Sequence, residues 1–252
     1  MKINSSTSKT LQPTLISVVI PTLNEERYLS KTITRIEQVA ANPAALEICV
    51  VDAGSVDGTM STIPDGISAH QDESLSGKKY ASLNLGIAKT SGDVLLFLDA
   101  DTLLPPHFDA LILTAIQRPG VVGGAFDMKF ASPGLQLKAL ELINRVRFRI
   151  EKEFYGDQAV FCTREAVKQV GGYPSETIME SAHFCNALKH AGKLRLVTKP
   201  VITSPRRFHE NGFWRTFWFD FKAWVRFRVG LHANGAGKEY WTFNQKDQEH
   251  AI

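Results

Sequence analysis

The most constraining feature of this 252-residue chain is an apolar run that ends abruptly in two carboxylates. Residues 95–98 are wholly apolar, and Asp99 and Asp101 follow with one residue between them. The run is too short for a typical helix and has the length of a strand buried on both faces. Its carboxylates would then emerge at the carboxyl end of a strand, where open α/β sheets bind ligands. Two carboxylates there suit Mg²⁺ or Mn²⁺ holding a diphosphate, although an acidic turn is the alternative interpretation.

The charge of the chain is divided unevenly along its length. The composition, with 44% hydrophobic and 22% charged residues and a net charge of +3, is ordinary for a globular protein. Residues 1–128 carry 9 Lys and Arg against 14 Asp and Glu, whereas residues 129–230 carry 18 against 9. The basic second half predicts anionic ligands or an anionic membrane surface. No nucleic-acid-binding motif accompanies it, so we expect no nucleic-acid partner.

The cysteines and the chain ends bear on the cellular setting. Cys49, Cys162 and Cys185 are far apart and lack metal-binding spacing, so a reduced, cytoplasmic setting is the default expectation. The Ser/Thr-rich residues 1–15 lack the apolar core of a signal peptide and are expected to be a flexible tail. No segment is long and apolar enough to span a bilayer. We expect one globular domain over residues 16–210 and an aromatic, basic extension over 211–252.

Strand-like and helix-like segments alternate along the first half. Residues 16–20 and 46–51 have the pattern of buried strands, the first stopped by Pro21, and residues 24–40 and 77–89 that of helices. The alternation predicts βαβ units and an α/β, Rossmann-like fold with a mostly parallel central sheet. The second half adds helices at 135–150 and 180–191 and strands at 121–130, 158–162 and 194–201.

Polar residues follow three of the predicted strands and should converge at one edge of the sheet. They belong to the motifs VVIPTLNEE (18–26), VVDAGSVDGT (50–59) and GDVLLFLDAD (92–101). In this order and spacing the motifs resemble those of family 2 glycosyltransferases of the GT-A fold, and the resemblance covers about residues 16–210. The second half resembles a smaller bacterial subgroup of that family through YGDQ (155–158), GGYP (171–174), IME (178–180) and TSPRR (203–207).

The resemblance implies a nucleotide-sugar donor and a divalent cation, Mg²⁺ or Mn²⁺. It places the base and ribose at Pro21, Thr22, Asn24, Glu25 and Asp52. Asp99 would lie at the ribose and, with Asp101, at the metal that bridges the diphosphate. Lys79 is expected to line the donor pocket, although a solvated basic helix face is an equal alternative. Arg206 and Arg207 are expected to clamp the diphosphate, because guanidinium groups match phosphate oxygens.

The acceptor side departs from the family pattern. Family members carry a Glu-Asp pair there whose Asp is the catalytic base, but this chain has Glu180 and Ser181. Serine cannot take the acceptor proton unaided, so Glu180, Asp157 or His183 is expected to replace it, with Glu180 and Asp157 as the candidate bases. The resemblance then implies a metal-dependent, inverting transfer to a hydroxyl of an unidentified lipid, glycan or small molecule.

Two other functions compete with sugar transfer. A non-catalytic nucleotide-sugar-binding protein is suggested by Ser181. A sugar-phosphate nucleotidyltransferase is less favoured, because that class needs a glycine-rich phosphate loop and residues 21–26 contain no glycine.

The segment 213–226 is far more aromatic than the rest of the chain. At 100° per residue, Trp214, Trp218 and Phe221 fall on one helix face with other aromatic residues, and Arg215 and Lys222 lie along its edge. This pattern fits either a helix that closes the core or a helix at the headgroup level of a membrane. With the second interpretation, we expect a cytoplasmic protein in peripheral contact with the inner face of a membrane.

Overall fold

The computed structural model describes residues 14–175 and 178–230. The expected 1–15 tail lies almost entirely outside these residues, as does the end of the 211–252 extension. Within them, eight strands form one sheet in the order β3-β2-β1-β4-β7-β6-β8-β5. The strands are β1 (Ile16–Thr22), β2 (Leu46–Asp52), β3 (Ser68–Gln71), β4 (Val94–Phe97), β5 (Thr102–Leu103), β6 (Val121–Phe130), β7 (Val160–Thr163) and β8 (Lys193–Thr203).

Six of these eight strands run in the same direction. Strands β1 to β4 pair in parallel, and β6 pairs in parallel with β8. Strand β7 runs antiparallel to both β4 and β6, and the short β5 runs antiparallel to β8. The expected α/β architecture with a mostly parallel sheet is therefore confirmed.

Helices cover both faces of the sheet. They are α1 (Leu29–Val39), α2 (Lys79–Lys89), α3 (Phe108–Ile116), α4 (Leu135–Glu151), α5 (Arg164–Val170), α6 (Glu180–Ala191), α7 (Arg206–Glu210) and α8 (Phe213–Arg228). Strand β4 shows why its sequence is continuously apolar. Leu96 packs into the core on the α1 and α3 side, whereas Leu95 and Phe97 pack into the core on the α2 and α6 side. Burial on both faces leaves no alternation of polar residues.

Two boundaries differ from those expected. Strand β1 continues through Pro21, which pairs in register with Val51. Strand β4 ends at Phe97, which pairs with Val19, and the Leu98 amide donates a hydrogen bond to the Val19 carbonyl. An N–H at position 21 would point to the same side of β1 but beyond the end of β4. Proline, which lacks this N–H, therefore costs the sheet no hydrogen bond there. Helix α1 begins only at Leu29, because Asn24 has a φ of 56° and belongs to a loop.

The aromatic helix α8 forms as expected but lies at the surface. Thr216 and Ala223 are its only fully buried residues. Its exposed apolar and aromatic side chains are Trp214, Trp218, Phe221 and Val225. In the described part of the chain, no helix combines the length and apolarity that a membrane crossing requires. The three cysteines are buried and free of disulfides.

Candidate active site

The first wall of the site is built from the loops that follow β1 and β2. Asp52 is fully buried and its carboxylate accepts hydrogen bonds from Thr22 Oγ1 at 3.1 Å, Gly54 N at 3.0 Å and Gln71 Nε2 at 3.2 Å. Ser55 adds bonds from both its amide and its hydroxyl. Both carboxylate oxygens are thus engaged by the chain itself. A nucleotide base would contact Asp52 only by displacing one of these donors.

Asn24 ties the two loops together. Its backbone N–H donates a hydrogen bond to Ser55 Oγ at 2.8 Å, and its side-chain Oδ1 accepts one from the Val56 backbone N–H at 2.9 Å. The next residue, Glu25, donates its amide to Thr59 Oγ1 at 2.7 Å. These contacts hold the Glu25 side chain at the carboxyl edge of the sheet, which is the edge where α/β folds bind ligands.

Arg206 joins this loop to the Asp-x-Asp motif. Its guanidinium donates two hydrogen bonds to the Glu25 carboxylate, one of them 2.7 Å long, and its Nε lies 3.2 Å from Asp101 Oδ2. The Tyr28 ring centroid lies 4.9 Å from the guanidinium carbon. Burial raises the pKa of Glu25 to about 7, and burial together with the charge of Asp99 raises the pKa of Asp101. Although burial lowers the pKa of Arg206, its hydrogen bonds to Glu25 raise it above its ordinary value.

Lys79 makes the matching contact with the first aspartate of the motif. Lys79 Nζ, at the start of α2, lies 2.6 Å from Asp99 Oδ1 and 3.9 Å from Glu180 Oε1. Lys79 therefore lies within the site and not on a solvated helix face. A Cβ at Gly156 would come within 3.0 Å of Lys79 Nζ and 3.5 Å of Ser181 Oγ, so the backbone of the YGDQ motif lies close to both side chains.

The donor set of the Asp-x-Asp motif fits a hard divalent cation. Asp99 and Asp101 supply carboxylate oxygens, and each is paired with a cationic side chain that a metal ion would replace. Among residues 14–175 and 178–230, no group of three or more His, Cys, Asp or Glu side chains is arranged around a metal site. Mg²⁺ commonly needs only one or two protein carboxylates when substrate phosphates and water complete its shell.

The two candidate bases lie on the other side of Asp99. Asp157 is half-buried, and its buried Oδ1 has no hydrogen-bond partner in the described part of the chain. Burial, with a contribution from the charge of Asp99, raises the pKa of Asp157 to about 6. Burial also raises the pKa of Glu180, against the nearby charge of Lys79. Ser181, where the family resemblance implies a catalytic Asp, is buried and lines the same pocket as Asp99 and Lys79.

The two arginines of the TSPRR motif point to different partners. Arg206 lies between Glu25 and Asp101, whereas Arg207 Nη2 lies 2.8 Å from Asp220 Oδ1 on α8. The charge of Arg207 also lowers the pKa of Asp157, which is raised overall by burial. Sequence reasoning did not single out Gly156, Tyr28 or Tyr173, which also form the site. The position of Gly156 within the YGDQ motif could have indicated that it lies at the site.

Comparisons with known proteins agree with this geometry. Residues 17–167 match the family described as Glycosyl transferase family 2. The glycosyltransferase AglE of Haloferax volcanii is 28% identical over 65% of this chain and 57% of its own length. The validoxylamine A glucosyltransferase of Streptomyces hygroscopicus subsp. limoneus is 25% identical over 90% of this chain and 51% of its own length. The chain thus spans between half and three-fifths of the length of these relatives.

A solved structure shows the same fold. The mannosyltransferase PcManGT of Pyrobaculum calidifontis, in complex with GDP-Man and Mn²⁺, superposes with a TM-score of 0.61 at 17% identity. The match covers 84% of this chain and 65% of that one. The fold of the sheet, the order of the motifs and the family match lead to one conclusion: the chain belongs to glycosyltransferase family 2 and has the GT-A fold.

Proposed function

We propose that this protein transfers a sugar from a nucleotide-diphosphate sugar to a hydroxyl acceptor, with a divalent metal ion and inversion at the anomeric carbon. The observation that carries the proposal is the meeting of Glu25, Asp101 and Arg206 beside the Lys79–Asp99 pair. Carboxylates for a metal and two cations for a diphosphate occur together at the carboxyl edge of the sheet. The PcManGT complex with GDP-Man and Mn²⁺ supports this assignment by fold.

The donor would be held by groups from both halves of the chain. Pro21, Thr22, Asn24 and Asp52 form the wall at the base and ribose. Asp99 and Asp101 would hold Mg²⁺ or Mn²⁺, which when bound neutralises charge on the diphosphate leaving group. Lys79 and the Nε of Arg206, now beside Asp99 and Asp101, would be available to phosphate oxygens if those two carboxylates held the metal. Arg207 would remain near Asp157 and approach the leaving group from the α8 side.

Asp157 is the better placed of the two candidate bases. As the acceptor oxygen bonds to the anomeric carbon, the bond from that carbon to the diphosphate breaks and the hydroxyl proton passes to a carboxylate. Asp157 has a free oxygen and a pKa of about 6, close to the value at which a base is effective near neutral pH. Glu180 lies 3.9 Å from Lys79 and would mainly orient that ammonium group.

A peripheral membrane contact is the second part of the proposal. Helix α8 exposes Trp214, Trp218 and Phe221, with Arg215 and Lys222 alongside. Helix α4 exposes a further apolar set, Leu135, Leu142, Ile143, Val146 and Ile150. Apolar and aromatic side chains flanked by basic residues suit an anionic lipid surface.

The test of transfer is a donor screen on the full chain. UDP-glucose, GDP-mannose and their nucleoside diphosphates would be incubated with the protein with and without Mn²⁺ or Mg²⁺. We expect one nucleotide to raise the melting temperature only with metal, and its sugar donor to be slowly hydrolysed. Metal-dependent binding without any hydrolysis or transfer would instead favour the non-catalytic relative suggested by Ser181. If none of the nucleotides binds, the donor assignment is refuted.

A further inference from the structure

Six buried polar atoms without hydrogen-bond partners lie in one region beside the candidate base. Across residues 14–175 and 178–230, seven buried side-chain polar atoms lack a hydrogen-bond partner. One of the seven, the hydroxyl of Tyr173, does not belong to this region. The six are Arg147 Nε, Glu151 Oε2, Glu153 Oε2, Tyr155 OH, Asp157 Oδ1 and Trp224 Nε1, and we call these residues the polar cluster. Buried polar groups are nearly always paired in proteins, with other protein groups or with ordered water, so such a concentration marks a place where a polar ligand or water would bind.

Two arginines hold the polar cluster together. The Arg147 guanidinium carbon, from α4, lies 3.6 Å from the Tyr155 ring centroid. Arg228, from α8, forms ion pairs with both Glu151 and Glu153, the latter at 3.6 Å. Its guanidinium carbon also lies 5.6 Å from the Trp224 ring centroid. The unpartnered atoms thus lie between α4, the segment 153–157 and α8.

The kinds of atom define the ligand. Arg147, Tyr155 and Trp224 offer N–H or O–H donors, whereas Glu151, Glu153 and Asp157 offer carboxylate acceptors. A hydroxyl group both donates and accepts, so a compound with several hydroxyls can satisfy donors and acceptors together. A phosphate group only accepts hydrogen bonds and would leave the three carboxylate oxygens without a donor.

We propose that the polar cluster is the acceptor site and that it binds a polyhydroxylated acceptor, a sugar or polyol unit, with one hydroxyl at Asp157. This inference rests on the proposed function, because Asp157 links the cluster to the donor side. Gly156, the residue before Asp157, lies against the donor side, since a Cβ there would be 3.0 Å from Lys79 Nζ and 3.5 Å from Asp99 Oδ2. The residue before it, Tyr155, packs against Arg147 of the cluster. A hydroxyl bound to the free oxygen of Asp157 would therefore lie between the donor and the other five groups.

Helix α8 covers this site in the structure. It contributes Trp224 and Arg228, yet Thr216 and Ala223 are its only fully buried residues. Displacement of its carboxyl-terminal half, with loss of the Arg228 ion pairs, would open the cluster to an acceptor. The same helix exposes Trp214, Trp218 and Phe221 to the outside. Arg228 follows Phe221 by seven residues, about two helical turns, so it lies on the same side of α8, and acceptor entry would adjoin the membrane contact.

The variants Tyr155→Phe and Trp224→Phe test the site by removing one donor each while keeping an aromatic ring. Tyr80→Phe on α2 is the matched control, because it makes the same chemical change outside the polar cluster. Release of nucleoside diphosphate from the productive donor would be measured with glucose, mannose and glycerol, with their phosphate esters, and with a polyprenyl phosphate in detergent.

We expect a neutral sugar or polyol to accelerate release in the wild type. In Tyr155→Phe and Trp224→Phe the KM for that acceptor should rise about three- to tenfold, because each variant loses one hydrogen bond to the acceptor. The KM for the donor should not change in these variants, and neither KM should change in the Tyr80→Phe control. The melting temperature of ligand-free Tyr155→Phe should equal or exceed that of the wild type, because an unpaired buried hydroxyl is removed.

Three results would overturn the inference: no neutral sugar or polyol accelerates release, only the phosphate esters or polyprenyl phosphate do so, or acceptor KM is unchanged in both variants. Calorimetric titration of the same sugars into the protein, with nucleoside diphosphate and Mn²⁺ and without them, separates the two proposals. Sugar binding weakened by Tyr155→Phe supports the acceptor site even if the donor assignment fails, and no sugar binding in either condition refutes it.

Discussion

Arg206 donates two hydrogen bonds to the carboxylate of Glu25, a residue 181 positions earlier in the chain. The pair fastens the start of α7 to the loop after β1, and the remaining Arg206 Nε reaches Asp101. One guanidinium thus joins the two halves of the domain at the place proposed for the diphosphate. Its fork geometry suits both the carboxylate it binds here and the phosphate oxygens it would bind with donor present.

Replacing Arg206 by Lys should weaken both stability and donor binding. Lysine keeps the charge but cannot donate two parallel hydrogen bonds to Glu25, which would leave a buried carboxylate poorly paired. We expect a loss of about 1–3 kcal/mol in the free energy of unfolding, measured by urea denaturation, and weaker nucleoside diphosphate binding. The exposed Arg118→Lys variant is the control. Equal stability of the two variants would contradict the bracing role of Arg206.

Asp101→Asn should abolish metal-dependent nucleotide binding and leave the fold intact. The amide has nearly the same volume as the carboxylate, but a neutral ligand weakens a hard-cation site. Titration calorimetry of nucleoside diphosphate with and without Mn²⁺ measures the effect, and circular dichroism checks the fold. The exposed Asp65→Asn serves as the control. Unchanged Mn²⁺-dependent binding in Asp101→Asn would exclude the proposed metal site.

Turnover should depend on the protonation of Asp157. Since the pKa of Asp157 is raised to about 6, the active carboxylate form predominates above that pH and is lost below it. The rate at saturating donor should therefore rise through about pH 6 and level off above it. Asp157→Asn should reduce the rate about 10²–10⁴-fold and remove this step, while nucleotide binding persists. A rate that keeps the same pH step in Asp157→Asn would assign the base elsewhere.

Glu180→Gln and Ser181→Asp together test the departure from the family pair. If Asp157 is the base, Glu180→Gln should lower turnover less than Asp157→Asn does, because Glu180 acts through Lys79. Ser181→Asp restores the family's acidic residue on the pocket wall. A gain of about tenfold or more in donor hydrolysis by Ser181→Asp, with no effect of Asp157→Asn, would identify the natural protein as a weakened or binding-only relative.

Liposome co-sedimentation tests the membrane contact. Binding to vesicles rich in anionic phospholipid should be measurable at low salt and weaken as salt rises, since each basic residue near the surface contributes about 1 kcal/mol. The double variant Trp214→Ala with Trp218→Ala should bind less, because it removes two exposed aromatic side chains. The matched double variant Phe148→Leu with Phe154→Leu changes buried aromatic residues and should bind as the wild type does. Absence of binding at low salt would refute the contact.

The sequence by itself determined six of the eight strands of the described chain, the mostly parallel character of the sheet and the edge at which the motifs meet, whereas β3 and β5 were not predicted. The run before Asp99 is apolar because β4 is buried on both faces, and this local pattern needs no knowledge of the partner strands. The βαβ alternation then predicted the parallel pairing of β1, β2 and β4, which is confirmed. Strand periodicity and topology rules act over short segments, so these features could be read directly.

Only the tertiary structure decided which side chains pair. The contacts of Arg206 with Glu25 and of Lys79 with Asp99 join segments far apart in sequence, and no local pattern specifies them. The same holds for the polar cluster, since its missing partners become visible only when α8 lies beside α4. The aromatic stripe of α8 is equally apolar in a core helix and in a surface helix. Its neighbours alone determine its exposure, because burial is a property of the packing around a residue and not of the residue itself.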